Sequence, residues 1–122
     1  MLESAKIMAF VGITDVARAR AFYEGTLGLP VVSDDPFALV FDVNGTTLRA
    51  AKVGAAAPPP YTTLSWTVAD VEGTVRALTA KGVAFERYPG MEQYALGIWQ
   101  VHGGKVAWFK DPDGNLLSLS SG

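Results

Sequence analysis

The sequence predicts an α+β fold built from two similar βαβββ modules, and three observations lead to this prediction. Each half of the chain has the pattern of a strand, a helix and then about three strands. Ile13-Thr14-Asp15-Val16 in the first half matches Val68-Ala69-Asp70-Val71 in the second, and the hairpin signal Asn44-Gly45 matches Asp113-Gly114. The chain has 122 residues. Since a module of half that length cannot bury its sheet alone, we expect the two modules to share one domain.

The first module is predicted over about residues 5–53. The apolar run Lys6–Ile13 has the length of a buried strand, and Asp15 after it is a good helix N-cap. A helical stripe follows and ends at Gly28, which suits a left-handed C-cap; its members are Val16, Ala19, Phe22 and Tyr23. The remaining strands are predicted at Val31-Val32, Phe37–Val43 and Thr46–Val53, the last two joined by the Asn44-Gly45 turn.

Residues 54–60 form a linker that ends in three consecutive prolines and is therefore extended. The second module, about residues 61–120, repeats the plan with a strand at Tyr61–Val68, an N-cap at Asp70 and a C-cap at Gly82. Its helix carries the apolar stripe Val71, Val75 and Leu78. Further strands are predicted at Val83–Tyr88, Ile98–Val101, Lys105–Phe109 and Asn115–Ser120, with the extra residues of this half placed in the loop 89–104.

Composition excludes several classes of protein and site. The chain has no cysteine and one histidine, so a disulfide framework or a metal site rich in imidazole and thiolate is excluded within one chain. A net charge of −2 argues against a nucleic-acid or anionic-membrane surface. No apolar run reaches the ~20 residues of a membrane span, and the N-terminus lacks the form of a signal peptide. We therefore expect a cytoplasmic protein without nucleic-acid or membrane partners.

This pattern resembles the vicinal oxygen chelate superfamily, which contains glyoxalase I, bleomycin-resistance proteins and extradiol dioxygenases. The resemblance is carried by Ile13-Thr14-Asp15, Ala21-Phe22-Tyr23-Glu24, Leu27-Gly28-Leu29, Val68-Ala69-Asp70-Val71, Lys81-Gly82-Val83 and Phe109-Lys110-Asp111-Pro112-Asp113-Gly114-Asn115. It implies paired modules that form a curved, barrel-like mixed sheet with the helices outside. It also implies a homodimer, since chains of this superfamily often associate in pairs, sometimes by exchanging modules.

The resemblance also identifies four positions where enzymes of the superfamily hold a divalent metal, two in each module. In this chain they are Met8, Arg49, Thr63 and Ser118. A thioether and two neutral hydroxyls are poor ligands for a hard cation, and a guanidinium repels it. The sequence therefore predicts that the chain holds no metal and no other cofactor.

Strand alternation predicts which side chains lie beside these four positions on the concave face of the sheet. The predicted ligand-binding residues are Met8, Phe10, Val40, Arg49, Thr63, Ser65, Trp108 and Ser118, with Trp99 as a lid aromatic. Asp42, Thr47, Ala51, Val106, Leu116 and Ser120 have the same phase. The opposite phase is apolar and predicts the core against the helices: Ile7, Ala9, Leu39, Phe41, Leu48, Leu64, Trp66, Val68, Leu117 and Leu119.

Apolar side chains with a few directional polar groups are typical of a small-molecule pocket, although the face can equally be filled by side chains or by a partner subunit. Arg49 either binds an acidic ligand group or forms a salt bridge with Asp42 or another acid. The sequence thus favours a metal-independent protein that binds an aromatic or acidic compound or drug. The alternative is a lyase-, isomerase-, hydrolase- or dioxygenase-like enzyme that acts on a small carbonyl or acidic substrate, with Arg49 as electrophile. The candidates for its base are His102, Asp42, Glu86 and Glu92. Tyr61 and Tyr94 are further candidates for lid aromatics.

Overall fold

The computed structural model describes residues 1–91, 93 and 96–121. The chain divides into two compact units, Met1–Pro58 (unit 1) and Pro59–Gly122 (unit 2), and the boundary falls within the predicted linker. Each unit contains a helical segment and a four-stranded sheet with one parallel and two antiparallel strand pairs. The α+β class and the repeated βαβββ plan are confirmed. The strands form two open sheets, so "barrel-like" describes them only loosely.

Unit 1 contains β1 (Met8–Ile13), α1 (Val16–Arg20), β2 (Val31–Asp34), β3 (Ala38–Val43) and β4 (Thr46–Lys52). The sheet order is β1-β4-β3-β2, with β1 and β4 parallel. The two-residue turn at Asn44-Gly45 sets the register of β3 and β4, because both residues have positive φ. The observed pairs Val43–Thr46, Asp42–Thr47 and Val40–Arg49 are those predicted from that turn.

The helical segment of unit 1 differs from the predicted α-helix. The Asp15 side chain accepts the Arg18 N–H at 3.0 Å, as expected of an N-cap, but α-helical bonding ends at Arg20. Residues Ala21–Thr26 continue as a wider π-helix, in which the Leu27 N–H bonds the Phe22 carbonyl at 2.9 Å. These wider bonds satisfy the last carbonyls before Gly28, at φ +77°, turns the chain out of the helix.

Unit 2 contains β5 (Leu64–Thr67), α2 (Val71–Ala80), β6 (Trp99–Val101), β7 (Gly104–Lys110) and β8 (Leu116–Ser121). The sheet order β5-β8-β7-β6 repeats that of unit 1. Asp70 caps α2 by accepting the Gly73 N–H at 2.9 Å, and Gly82 follows the helix with φ +96°. None of the helices formed by the described residues is long and apolar enough to cross a membrane.

The predicted strand at Val83–Tyr88 is wrong. Toward β7, among the described residues, this segment makes an isolated bridge between Phe85 and Phe109 and a hydrogen bond from the Glu86 N–H to the Trp108 carbonyl, and it forms no continuous ladder. The reason lies in the edge of β7, whose first half is already paired with β6 from Gly104 to Val106. The 83–88 segment therefore reaches only the remaining part of that edge.

The core of each unit lies between the sheet and the helical segment. In unit 1, Tyr23 is fully buried and its ring packs against Phe41 with centroids 5.6 Å apart. In unit 2, the α2 stripe packs on the buried residues of β7 and β8, which are Ala107, Phe109, Leu117 and Leu119. Ile7 was predicted to belong to the core, but it precedes β1 and is 79 % exposed.

Candidate functional site

One face of the unit 2 sheet, here called the Trp108 face, points away from α2. Residues paired across strands share a face, so the register defines its composition. One row runs Trp99–Val106–Ser120–Thr67 and the next runs Trp108–Ser118–Ser65. Each row begins with an indole on β6 or β7 and ends with hydroxyls on β8 and β5. The face is therefore aromatic on one side and hydrogen-bonding on the other.

The aromatic side of the Trp108 face is a cluster of three rings. Trp108 lies between Trp99, with ring centroids 5.9 Å apart and planes 31° apart, and Tyr88, with centroids 5.5 Å apart and an edge-to-face arrangement. All three side chains are partly exposed. Burial raises the pKa of the Tyr88 phenol, and the Glu86 carboxylate adds a smaller effect in the same direction. Tyr88 is therefore a neutral hydrogen-bonding group at physiological pH.

The hydroxyl side of the face is hydrogen-bonded within itself. The Ser118 hydroxyl is buried and donates to the Ser65 Oγ at 2.8 Å, while Ser65 is exposed. The hydroxyl of Thr63, the residue just before β5, donates to the Leu116 carbonyl at 3.2 Å. Ser65 therefore presents the hydroxyl that is open to solvent, and the hydrogen bond from the buried Ser118 holds that hydroxyl in place.

Gln93 holds the segment that carries Tyr88 close to the segment that leads into Trp99. Its side-chain oxygen accepts the Tyr88 N–H at 2.8 Å, and its side-chain nitrogen donates to the carbonyls of Glu86 at 3.0 Å and Gly97 at 2.7 Å. Gln93 also forms a bridge with Trp99. One amide thus fixes the two chain segments from which two of the three rings project.

The equivalent surface of unit 1, here called the Arg49 face, has a different character. Along the register, Arg49 lies between Phe10 on β1 and Val40 on β3, and Met8 precedes Phe10 on the same face. Phe10 and Met8 are 56 % and 51 % exposed, whereas Val40 is buried. The face therefore presents a guanidinium beside exposed apolar side chains.

The acid that faces Arg49 is Asp35. Its Oδ2 lies 4.0 Å from an Arg49 terminal nitrogen, and both side chains are about one-third exposed. Asp42, the partner named first from sequence, instead accepts the Gly45 N–H at 3.1 Å within the hairpin turn. Of the options that the sequence left open, Asp42 or another acid, the structure has another acid, Asp35, because Asp42 is engaged in closing its own turn.

His102 forms the tip of a hairpin rather than part of a loose glycine-rich loop. With Gly103 it makes the two-residue turn between β6 and β7, and both have positive φ. The His102 side chain is exposed at the tip of this hairpin, three residues after Trp99. Tyr61 is exposed ahead of β5 and is absent from the described ring contacts. Glu92 and Tyr94 lie outside the described residues.

The residues at the superfamily's metal positions do not fit a divalent metal. Unit 1 supplies a thioether and a guanidinium, and unit 2 supplies two hydroxyls that are already hydrogen-bonded. Over residues 1–91, 93 and 96–121, no group of three or more His, Cys, Asp or Glu side chains is placed to hold a metal ion. No chemistry through such an ion follows from these side chains.

A small cleft also lies on the helix side of unit 2. It has a volume of about 190 Å³ and is lined by residues including Phe85, Leu96 and Arg87. Phe85 bridges Phe109, which is a core residue, so this cleft is on the side opposite the Trp108 face. Its volume is below the roughly 300–1,000 Å³ of pockets that enclose drug-sized ligands. The Trp108 face is the better candidate site.

Comparison with known proteins decides the family. The model of the Glyoxalase/Bleomycin resistance protein/Dioxygenase superfamily matches residues 6–119. The chain belongs to this superfamily. Among curated proteins, no sequence matches it significantly.

Three solved structures illustrate the similarity of this superfamily member to others. TnmS3, an antibiotic-binding protein from Streptomyces sp. CB03234, is 26 % identical with a TM-score of 0.76, over 99 % of this chain and 98 % of that one. A superfamily member from Sphaerobacter thermophilus is 26 % identical with a TM-score of 0.74, over 100 % of both chains. A glyoxalase family protein from Enterococcus faecalis is 19 % identical with a TM-score of 0.76, over 98 % of this chain and 99 % of that one, and shows the fold alone.

Sequence reasoning named Trp99, Trp108, Ser65 and Ser118, and the structure brings these four together on one face. It missed Tyr88 and Gln93. Strand alternation can identify Tyr88, because an extended segment with Phe85 on the core side places the residue three positions later on the other side. For Gln93 no signal exists in the sequence, since a single glutamine in a loop has no characteristic spacing.

Proposed function

We propose that this superfamily member is a metal-independent binding protein that takes a flat aromatic compound, such as an aromatic antibiotic, on the Trp108 face. The observation that carries the proposal is a cluster of three partly exposed rings around Trp108, which shares its cross-strand row with the Ser118–Ser65 hydroxyl pair. A ring system can stack on Trp108 and Trp99 while its polar edge reaches the hydroxyls. Apolar surface with a few directional polar groups is the usual composition of a small-molecule site.

The geometry of the Trp108 face also suggests the size of the ligand. The row Trp108–Ser118–Ser65 crosses two interstrand spacings, about 10 Å in total. That distance suits a molecule of two or three fused rings with a hydroxyl or carbonyl group at one end. The 26 % identical antibiotic-binding protein TnmS3 supports a ligand of the drug class over a metabolite of central metabolism.

Binding is favoured over catalysis by the titratable groups near each face. Tyr88 has a raised pKa and stays protonated, and Glu86, which contributes to that shift, is paired with the exposed Lys110 at 3.5 Å. In unit 1, the carboxylate facing Arg49 is Asp35, and hydrogen bonds hold its pKa below the usual range. A carboxylate with a lowered pKa is a poor general base. The enzyme alternative therefore lacks a suitable proton acceptor among these groups.

The test is a thermal-shift screen of planar aromatic compounds, with and without divalent ions, followed by calorimetry on the best ligand. Trp108→Leu should weaken that ligand about tenfold, since stacking is worth roughly 0.5–1.5 kcal/mol beyond the area buried. The matched control is Trp66→Leu, because Trp66 stacks on Phe109 on the helix side of the same sheet. Equal affinity of the parent and Trp108→Leu proteins would reject the proposal.

We also propose that the protein is a homodimer. Strands β1 and β2 are the edges of the unit 1 sheet, and large apolar side chains such as Val32 and Phe37 are exposed in that unit. Exposed edges and apolar side chains favour association. Light scattering at micromolar concentration should give twice the mass of the chain, and a monomer would contradict the proposal.

A further inference from the structure

The Arg49 face of unit 1 combines a single cation with mainly apolar side chains, and its other polar members are Asp42 and Thr47. Its residues, taken from the register, are Met8, Phe10, Gly12, Ala38, Val40, Asp42, Thr47, Arg49 and Ala51. Arg49 is directly paired with Phe10 on one side and with Val40 on the other. Because Val40 is buried and Arg49 is only 30 % exposed, the guanidinium lies partly out of bulk water, where a charge interaction is stronger.

The guanidinium retains capacity to bind another group. Its distance of 4.0 Å from the Asp35 Oδ2 exceeds the 2.7–3.2 Å range of an N–H···O hydrogen bond. Within the described part of the chain, no residue forms a hydrogen bond with the Arg49 side chain. A carboxylate that approached to 2.7–2.9 Å would form charge-assisted and bidentate bonds that Asp35 does not supply.

Asp35 does not depend on Arg49 for its own stabilisation. Its Oδ1 accepts the N–H groups of Phe37 at 2.7 Å and Ala38 at 2.9 Å. These two bonds are the main cause of the lowered pKa of Asp35, and the charges of Arg49 and Lys52 contribute less. Asp35 therefore keeps its principal hydrogen bonds when Arg49 turns to a different anion.

We propose that Arg49 anchors an oxyanion site on unit 1, which binds the carboxylate of a ligand with an apolar body. In the free protein Asp35 faces the guanidinium, and the ligand's carboxylate takes its place. The exposed side chains of Met8 and Phe10 contact the apolar body. This inference goes beyond the proposed function because it concerns unit 1, whereas the aromatic cluster belongs to unit 2. Either can fail while the other stands.

The probes are 2-naphthoate and 2-naphthamide, which share a ring system and differ in charge. Calorimetry measures both affinities, and amide chemical shifts in ¹⁵N NMR spectra locate each binding event. Naphthoate should bind at least tenfold more tightly than the amide, with shifts at Phe10, Val40 and Arg49. The affinity of the amide reports stacking alone and so tests the proposed function separately.

Arg49→Met should remove at least nine-tenths of the naphthoate affinity and leave naphthamide binding unchanged. The matched control is Arg20→Met, since Arg20 also lies in unit 1 but is paired with Glu24 on the helical segment. Naphthoate affinity equal to the parent in a folded Arg49→Met protein would overturn the proposal. If Arg49→Met does not fold, Arg49→Lys supplies the same test, because it keeps the charge and loses the bidentate geometry.

Asp35→Asn tests displacement directly. An asparagine side-chain oxygen can accept the same two N–H groups, so the turn is retained while the competing charge is removed. Naphthoate should then bind about threefold more tightly. Unchanged or weaker binding would show that Asp35 does not compete for Arg49. It would overturn the proposal that the ligand's carboxylate takes the place of Asp35.

Discussion

The two units have the same strand order but present different chemistry on equivalent faces. Unit 1 places Met8 and Arg49 where unit 2 places Thr63 and Ser118, at sequence offsets of 55 (63 − 8) and 69 (118 − 49). The face of unit 1 is a cation with apolar neighbours, and that of unit 2 is an aromatic cluster with hydroxyls. The same strand order is therefore compatible with different side chains on the face that points away from the helical segment.

The units differ most in the segment after the helix. In unit 1, β2 begins at Val31, three residues after Gly28. In unit 2, β6 begins at Trp99, seventeen residues after Gly82. The longer segment supplies both Tyr88 and Trp99, which complete the cluster around Trp108. A longer connection has thus added two rings to one face while the strand order stayed the same.

The largest expected effect is on stability, and it differs between the turn that joins β7 to β8 and the turn that joins β3 to β4. Asp111 is buried and accepts the N–H groups of Asp113 and Asn115 and the Asn115 side-chain amide, all within 3.0 Å. Asp42 is exposed and accepts the Gly45 N–H. Asp111→Ala should lower the free energy of unfolding by about 3 kcal/mol, because it leaves several buried donors without a partner, and Asp42→Ala by about 1 kcal/mol. Urea denaturation measures both, and equal losses would show that the turns are energetically equivalent.

The next effect concerns the segment that is specific to unit 2. Gln93→Glu keeps an acceptor for the Tyr88 N–H but sets a carboxylate against the carbonyls of Glu86 and Gly97. We expect a loss of about 2 kcal/mol in stability from these unfavourable contacts. The affinity for aromatic ligands should fall as well, because the segments that carry Tyr88 and Trp99 are no longer held by the Gln93 hydrogen bonds. A Gln93→Glu protein with parental stability would mean that the hydrogen bonds of Gln93 do not fix the segment.

The repeat in the sequence was sufficient to predict the α+β class, the helix N-caps and the β3–β4 register. These features depend on local chemistry: Asp15 and Asp70 bond N–H groups three residues away, and Asn44-Gly45 supports the positive φ of a two-residue turn. Alternation along the strands then placed Trp108, Ser118 and Ser65 on one face, since period-two geometry needs no tertiary information.

The remaining features depend on contacts between distant segments. Whether Val83–Tyr88 pairs as a strand is decided by the edge of β7, which β6 already occupies in part. The acid facing Arg49 is Asp35, because the β2–β3 turn brings it near, whereas strand pairing drew attention to Asp42. Neither the pairing along the β7 edge nor the position of Asp35 can be predicted from the composition or spacing of the local sequence.

A smaller effect is the pH dependence that Asp35 gives to unit 1. Its pKa is lowered from 3.8, first by the N–H groups of Phe37 and Ala38. A group whose pKa is lower in the folded state stabilises the protein above its unfolded pKa, and this contribution is lost as the pH falls through the folded value. The difference in unfolding free energy between the parent and Asp35→Asn proteins should thus be constant above pH 5 and should shrink in more acidic solution. A difference independent of pH would contradict the assignment.

The smallest expected effect is that of divalent metals. A metal bound at a hundredfold excess over its Kd stabilises a protein by about 2.7 kcal/mol, which raises the Tm of a domain of this size by several degrees. Each unit instead offers side chains that bind such ions poorly, Met8 and Arg49 in one and Thr63 and Ser118 in the other. Nickel, zinc, iron, manganese or a chelator should therefore move the Tm by less than about 1 °C. Elemental analysis of the purified protein is the companion measurement. About one metal per chain, lost in Ser118→Ala but retained in a Ser121→Ala control, would show that unit 2 does hold an ion.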